Sequence, residues 1–196
     1  MLLTTLIVTV FGKTGVAEPT FTVLATHESF QIRSYSQRFA IGTTCTSDNS
    51  GFRALAGFIG VGSTPKNSEN ESIAMTAPVI KDQASGMQFV LPAKFDDISK
   101  IPNPTDSDVK IITLPAQTGA VSTFSGWVSP SQAQQQKLNL YDALSPAGIE
   151  LNEGNQWQLW QYNPPFTIPW LRRNEIWVEL KEEEVEKAVR YCEGKM

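Results

Sequence analysis

The sequence has few of the residues that build metal centres and nucleophilic active sites. Its 196 residues include one histidine, His27, and two cysteines, Cys45 and Cys192. The cysteines lie far apart, outside any Cys-x-x-Cys spacing, so we expect neither a disulfide framework nor a zinc site. A single histidine without a Gly-x-Ser-x-Gly motif does not support Ser-His-Asp or Cys-His catalysis. We interpret His27, which lies between two predicted strands, as a turn residue rather than a metal ligand.

Positive charge is also scarce. The chain has 16 basic and 20 acidic residues, a formal net charge of −4, and its basic residues form no cluster. Nucleic-acid binding needs a concentrated basic face, so we exclude a nucleic acid as the partner. Hydrophobic residues at 41% and charged residues at 18% are typical of a globular protein. The length favours one domain.

No apolar run is long enough to span a bilayer as a helix. The first twelve residues are apolar, but a spanning helix needs about 20. A secretory signal should begin with positive charge, whereas the first basic residue, Lys13, follows the apolar run. We therefore predict that residues 1–17 form either a docking helix or a signal-like segment. We expect a cytoplasmic location, or export or organelle import if residues 1–17 act as a targeting segment.

Hydrophobic periodicity predicts an α+β fold. Two successive units of strand, strand, helix, strand and strand, each of about 80 residues, suggest a duplication. One antiparallel sheet curled towards a barrel, with a helix of each unit packed on it, would bury the apolar faces economically. We assign residues 18–181 to this domain and residues 182–196 to a charged terminal helix. The predicted strands are 21–25, 30–35, 39–45, 73–80, 87–92, 109–114, 120–124, 157–162 and 175–180, and the predicted helices are 52–59, 130–143 and 181–193.

The stretch from Tyr162 to Leu180 has two contrasting halves. Residues 162–170 contain three prolines among aromatic residues, so they can form neither a helix interior nor a central strand. Residues 174–180 alternate as a strand does, with Ile176, Val178 and Leu180 on one face and Glu175, Trp177 and Glu179 on the other. Arg172 and Arg173 lie between the halves. A stiff aromatic loop beside two cations indicates a rim for an apolar ligand with acidic groups.

Six motifs are spread over nearly the whole chain from Glu18 to Leu180. They are Phe30-Gln-Ile-Arg-Ser-Tyr35, Ile73-Ala-Met-Thr-Ala-Pro-Val79, Phe89-Val-Leu-Pro92, Phe124-Ser-Gly126, Tyr162-Asn-Pro-Pro165 and Leu171-Arg-Arg-Asn-Glu-Ile-Trp-Val178. Together they resemble the motifs of the SOUL haem-binding protein family. The resemblance implies a pseudo-twofold α/β barrel related to gyrase-inhibitor-like effector-binding domains, with haem or another tetrapyrrole as the ligand.

The resemblance also implies a shallow groove between the first helix and the loop before the last strand. Burial of a flat porphyrin there would contribute about 25 cal/mol per Å², and Arg172 and Arg173 could pair with its propionates. The competing interpretations are an ordinary helix core and an internal salt bridge of the arginines. The expected walls are Phe52, Leu55, Phe58 and Ile59 on the helix and Tyr162, Phe166, Trp170 and Leu171 on the loop.

The sequence departs from the family at the proposed iron ligand. The position of a histidine in some members is occupied here by Ser34, which is not a useful haem ligand. Met75 is explained most simply as a core thioether. We therefore expect haem or a related tetrapyrrole to be bound without a histidine axial ligand.

Glu175 supports an alternative function. In gyrase-inhibitor-like relatives, a glutamate on the last strand points into the central cleft, receives cationic ligands and in some members supports hydrolysis. Glu175 begins the matching strand, on the same face as Trp177. A carboxylate in an aromatic pocket could act as a general acid or base. Against an enzyme, no second titrating partner is evident, and Arg173 could neutralise the carboxylate. We expect a ligand-binding protein rather than an enzyme, with Glu175 a weak catalytic candidate.

Overall fold

A computed structural model describes residues 15–43, 48–82, 86–152 and 154–194. Most of the predicted N-terminal docking or signal-like segment lies outside these residues, as does Cys45. Within the described ranges, no helix has the length and apolar character needed to cross a membrane.

Nine strands and three α-helices follow one another in the order the sequence predicts. Helix α1 begins earlier than predicted, and β7 begins three residues before the predicted strand. The strands are β1 Thr22–Thr26, β2 Gln31–Tyr35, β3 Arg38–Thr43, β4 Val79–Asp82, β5 Gly86–Val90, β6 Val109–Leu114, β7 Gln117–Phe124, β8 Trp157–Gln161 and β9 Asn174–Glu179, and the helices are α1 Asp48–Ile59, α2 Pro130–Leu144 and α3 Glu182–Cys192.

All nine strands form one curled sheet, in the order β1-β2-β7-β9-β8-β4-β5-β3-β6. Every pairing between the named strands is antiparallel. This distorted half-barrel with packed helices confirms the predicted α+β class. Strands β2–β5 and β6–β9 can be taken as two units of four strands. If each strand is exchanged for its counterpart in the other unit (β2 for β6, β3 for β7, β4 for β8 and β5 for β9), the order from β2 to β6 is reversed about the β8–β4 pair. The internal duplication itself stays a prediction.

Two hydrophobic clusters cover the outer face of the sheet. Helix α1 packs against β3, β5 and β6, and its Leu55, Phe58 and Ile59 are buried there. Helix α2 packs against β7 and β9, and α3 against β1 and β2. Ile176, Val178 and Leu180 lie together in the second cluster, which confirms the face predicted for them. Helix α2 begins with a capping box between Ser129 and Gln132, and Pro130 occupies its first turn.

A third, aromatic cluster lines the inner face of the sheet. The indoles of Trp160 and Trp177 are stacked, with centroids 5.2 Å apart and an interplanar angle of 13°. The Tyr35 ring meets both indoles edge-on, each at 5.4 Å. Gly119 makes this packing possible, because a Cβ there would lie 2.3 Å from the Val178 carbonyl oxygen and 2.7 Å from the Trp177 ring.

The predicted strand 73–80 is wrong over most of its length, since only Val79 and Ile80 belong to β4. The preceding backbone makes its hydrogen bonds outside the β4 ladder. The Ile73 amide donates to the Ile59 carbonyl and the Ala77 amide to the Ala17 carbonyl. Pro78 lacks an amide hydrogen and cannot extend the ladder. Alternation of residue types predicted a strand here. This prediction failed because alternation does not report which groups the backbone amides and carbonyls bond to.

Candidate functional site

A buried ion pair crosses the inner face of the sheet. Arg33 on β2 and Glu175 on β9 are 6% and 1% exposed, and Arg33 Nη1 lies 3.0 Å from Glu175 Oε2. The two strands flank β7, so the long arginine side chain must reach across it. Burial alone would lower the pKa of Arg33, but the Glu175 carboxylate and the nearby tyrosines give a net increase. The Arg33 guanidinium therefore remains charged within the protein.

Two tyrosines complete the surroundings of this pair. The Tyr162 hydroxyl donates a hydrogen bond of 2.7 Å to Glu175 Oε2, and burial raises the pKa of Tyr162 well above its ordinary value. The Tyr35 hydroxyl is buried and has no hydrogen-bond partner among the described residues. Burial also raises the pKa of Tyr35, to about 12, although the charge of Arg33 opposes the shift. Both phenols are therefore neutral near neutral pH.

The segment just before β1 lies against the edge of this cluster. Ala17 forms a parallel bridge with Thr76, and Glu18 forms a salt bridge with Arg173. The Phe21 ring contacts Tyr35 at 5.2 Å and lies 4.4 Å from the Arg33 guanidinium carbon. The N-terminal segment thus shields one side of the Arg33–Glu175 pair.

The sequence suggested that Arg173 could neutralise Glu175, but in the structure a different arginine does so. Arg173 pairs with Glu18 and lies 3.5 Å above the Tyr162 ring, whereas Arg33 pairs with Glu175. Glu175 Oε2 accepts hydrogen bonds from Arg33 and Tyr162, and Oε1 a longer one, 3.4 Å, from Thr123. With three of about four acceptor positions used and only 1% of Glu175 exposed, a general-base role would require a path for the substrate to this carboxylate.

Arg172 holds the aromatic loop of residues 163–171 in place. Its guanidinium donates to the carbonyl oxygens of Thr167 and Pro165 and lies 3.6 Å above the Trp127 ring. The loop is also fixed to the preceding turn, since the Gly126 amide donates to the Pro169 carbonyl at 2.9 Å. Desolvation lowers the pKa of Arg172 from its ordinary, very high value. These contacts show how a proline-rich loop keeps one shape without regular strand pairing.

The structure divides the eight predicted groove residues into two groups. Leu55, Phe58, Ile59 and Tyr162 are buried in the protein core, where they already have partners. Phe166 and Trp170 are 87% and 72% exposed, and Phe52 and Leu171 are each 40% exposed. The loop therefore presents an apolar surface to solvent, and on α1 only Phe52 among the predicted residues is exposed. The role of all eight, and of Arg172 and Arg173, in ligand binding stays a prediction.

A profile described as SOUL heme-binding protein matches residues 16–179. The chain belongs to the SOUL family. This match covers most of the chain and confirms the family suggested by the sequence motifs. Against curated protein sequences, the SOUL chain has no significant match.

Three solved structures show a distant resemblance to this SOUL protein. SAV2435 bound to tetraphenylphosphonium is 15% identical, with a TM-score of 0.40, and the match covers 79% of this chain and 95% of that one. The EcmrR C-terminal domain is 14% identical, with a TM-score of 0.48 and coverages of 78% and 96%. A hydrolase from Listeria innocua is 10% identical, with a TM-score of 0.45 and coverages of 85% and 94%.

The SOUL chain offers an apolar surface for a flat ligand at the 163–171 loop, but few candidate ligands for an iron atom there. Residues 163–171 contain no histidine, cysteine, methionine or tyrosine. Ser34 shares a hydrogen bond of 3.1 Å with Thr118. His27 is half-buried, with its Nδ1 accepting from the Ser29 amide and its ring against Phe30 and Tyr191. In the described part of the chain, no cluster of three or more metal-ligating residues occurs.

Proposed function

We propose that this protein binds haem or a related tetrapyrrole reversibly, through the exposed apolar surface of the 163–171 loop. The observation that carries the proposal is the exposure of Phe166 and Trp170 on a loop whose backbone is held by Arg172. Contiguous apolar patches on a protein surface mark sites that bind a ligand or another protein. The description of the SOUL family as haem-binding supports a tetrapyrrole as the partner.

Affinity would come mainly from burial of the ring plane. Covering roughly 200 Å² of apolar surface contributes on the order of 5 kcal/mol, but association costs about as much. Several side chains must therefore be covered together, and Phe52 and Leu171 are the other exposed members of the predicted walls. A held loop reduces the entropy lost on binding, because its aromatic side chains are already positioned. This mode of binding requires no axial ligand to the iron.

The two arginines have structural contacts that limit the charge they offer to a propionate. Arg172 already donates to two backbone carbonyls, and Arg173 is paired with Glu18. We infer that Arg172 positions the loop and that propionates extend towards solvent. Binding should then depend more on the two exposed rings than on either guanidinium.

Titration with haemin and with metal-free protoporphyrin, followed by absorbance and by fluorescence quenching, tests the proposal. We expect saturable binding of both, with similar affinities. Phe166→Ala and Trp170→Ala should each weaken binding about tenfold, equivalent to about 1.4 kcal/mol. Ile98→Ala is the matched control, because Ile98 is also exposed, in a different region, and has no place in the proposal. Unchanged affinity in both loop variants would remove the loop from the proposal.

The second candidate function is a cationic-ligand or hydrolase site at Glu175. It is favoured by the position of this carboxylate beside the Tyr162 hydroxyl and the aromatic cluster of the inner face. A cationic ligand would have to displace Arg33, which already holds the carboxylate. Glu175→Gln distinguishes the functions, since tetrapyrrole binding at the loop should tolerate this change, whereas hydrolysis or cation binding at Glu175 should not.

A further inference from the structure

A cavity of about 260 Å³ lies beside the inner aromatic cluster, away from the 163–171 loop. It is lined by residues 17–20, by residues 36–39 at the turn into β3, by Thr76, and by residues 90–93, Phe95 and Asp96 at the end of β5 and after it. Its lining is largely apolar, and Phe39, Leu91 and Phe95 belong to the buried core. The volume is below the ~300–1,000 Å³ of pockets that hold drug-sized ligands. The cavity therefore suits a small molecule rather than a tetrapyrrole.

Among the described residues that line the cavity, Arg38 at the beginning of β3 is the only basic one. It forms no salt bridge within the described residues. Its two hydrogen bonds, from Nη1 to the Ser36 carbonyl at 3.4 Å and from Nη2 to Gln117 Oε1 at 3.5 Å, are both long. Its Nε is buried and has no hydrogen-bond partner in the described structure. Arg38 thus brings a positive charge with only long hydrogen bonds to a largely apolar cavity.

Aromatic contacts compensate this charge only in part. The Arg38 guanidinium carbon lies 4.7 Å from the centroid of the Tyr35 ring and 6.0 Å from that of Trp160. Cation–π contacts of this kind contribute roughly 0.5–2 kcal/mol, whereas desolvation of an ion costs several kcal/mol. Desolvation accordingly lowers the pKa of Arg38 from its ordinary value. An anion beside the guanidinium would offset this cost.

The two carboxylates in the lining are already balanced by other cations. Glu18 forms its salt bridge with Arg173. Asp96 pairs with Lys100 at 2.6 Å, and the hydrogen bond from Lys100 lowers the pKa of Asp96. Neither carboxylate neutralises Arg38, which remains the charge that a ligand in this cavity would meet.

We propose that the cavity binds a small organic anion, a monocarboxylate with a short aliphatic or single-ring body, whose carboxylate pairs with the Arg38 guanidinium. The planar guanidinium matches a carboxylate through paired N–H donors, and its two Nη atoms, whose present hydrogen bonds are long, could donate to the ligand instead. The apolar body would contact Phe39, Leu91 and Phe95. This site is separate from the tetrapyrrole surface and does not depend on it.

Calorimetric titration of the full chain with benzoate and hexanoate, and with benzyl alcohol and hexanol as neutral analogues, tests this proposal. We expect saturable binding of at least one carboxylate and at least tenfold weaker binding of its alcohol. Arg38→Gln should weaken carboxylate binding at least tenfold, and Arg38→Lys by less, because lysine keeps the charge but loses the planar fork. Arg190→Gln is the matched control, since Arg190 lies on α3 and is paired with Glu186.

A second variant tests the cavity independently, in case Arg38→Gln does not fold. Ala93→Trp changes an exposed residue at the cavity and should obstruct it while keeping Arg38. It should abolish carboxylate binding and leave the haemin titration unchanged. Equal binding of alcohols and carboxylates, an equal loss in Arg190→Gln, full binding in Ala93→Trp, or no saturable binding of either carboxylate would each overturn the proposal. Failure of haemin binding in the wild-type chain bears only on the tetrapyrrole proposal.

Discussion

Removal of Arg33 should destabilise this protein far more than removal of a surface arginine. The Arg33–Glu175 pair is almost fully buried, with 3.0 Å between Arg33 Nη1 and Glu175 Oε2. Arg33→Met keeps much of the side-chain length but leaves the buried Glu175 carboxyl group without its cation. A buried pair broken in this way typically costs about 3–5 kcal/mol of unfolding free energy. Since small domains have about 5–15 kcal/mol in total, the loss should be large.

Urea unfolding followed by tryptophan fluorescence measures this effect, because Trp160 and Trp177 lie in the same cluster. The control is Arg190→Gln, which removes an exposed pair spaced i, i+4 with Glu186. Exposed pairs of this kind contribute about 0.3–0.5 kcal/mol. The difference between the two variants therefore isolates the effect of burial.

A double-mutant cycle makes the test sharper. If the two charges depend on each other, Arg33→Met combined with Glu175→Gln should be less destabilising than the sum of the single changes, with a coupling of about 2–3 kcal/mol. The uncharged glutamine can still accept the hydrogen bond from Tyr162. An additive cycle, together with an Arg33→Met loss no larger than that of Arg190→Gln, would refute the reasoning.

Two further predictions concern the same inner face. Because burial raises the pKa of Tyr35 from 10.0 to about 12, the native state binds more protons than the unfolded state above pH 10. The resulting stability, on the order of 2–3 kcal/mol, should be complete below pH 10 and lost as the pH rises towards 12. Tyr35→Phe should flatten this alkaline loss in urea titrations, and an unchanged pH profile would contradict the assignment. Gly119→Ala should lower the melting temperature sharply, since its Cβ would lie 2.3 Å from the Val178 carbonyl oxygen, whereas Gly57→Ala, facing the flexible Lys66 side chain, should cost little.

Local periodicity predicted much of the fold because it reports on the environment of successive residues. The alternation in β9 correctly separated Ile176 and Val178, which pack under the helices, from Glu175 and Trp177, which face inward. The helical spacing in α1 correctly predicted an apolar face. Spacing alone cannot say what covers that face, and in the structure Leu55 and its neighbours are covered by the sheet.

The sequence by itself determined the family, the α+β class, the element order and the stiff aromatic loop, because motifs, periodicity and proline content are local properties of the chain. Only the tertiary structure decided the charge partners. Arg33 and Glu175 are 142 residues apart, and their meeting depends on β2 and β9 flanking β7. The same is true of Arg38, whose cavity is formed by segments distant in the chain. Ion pairs and cavities depend on long-range packing, which no local pattern records.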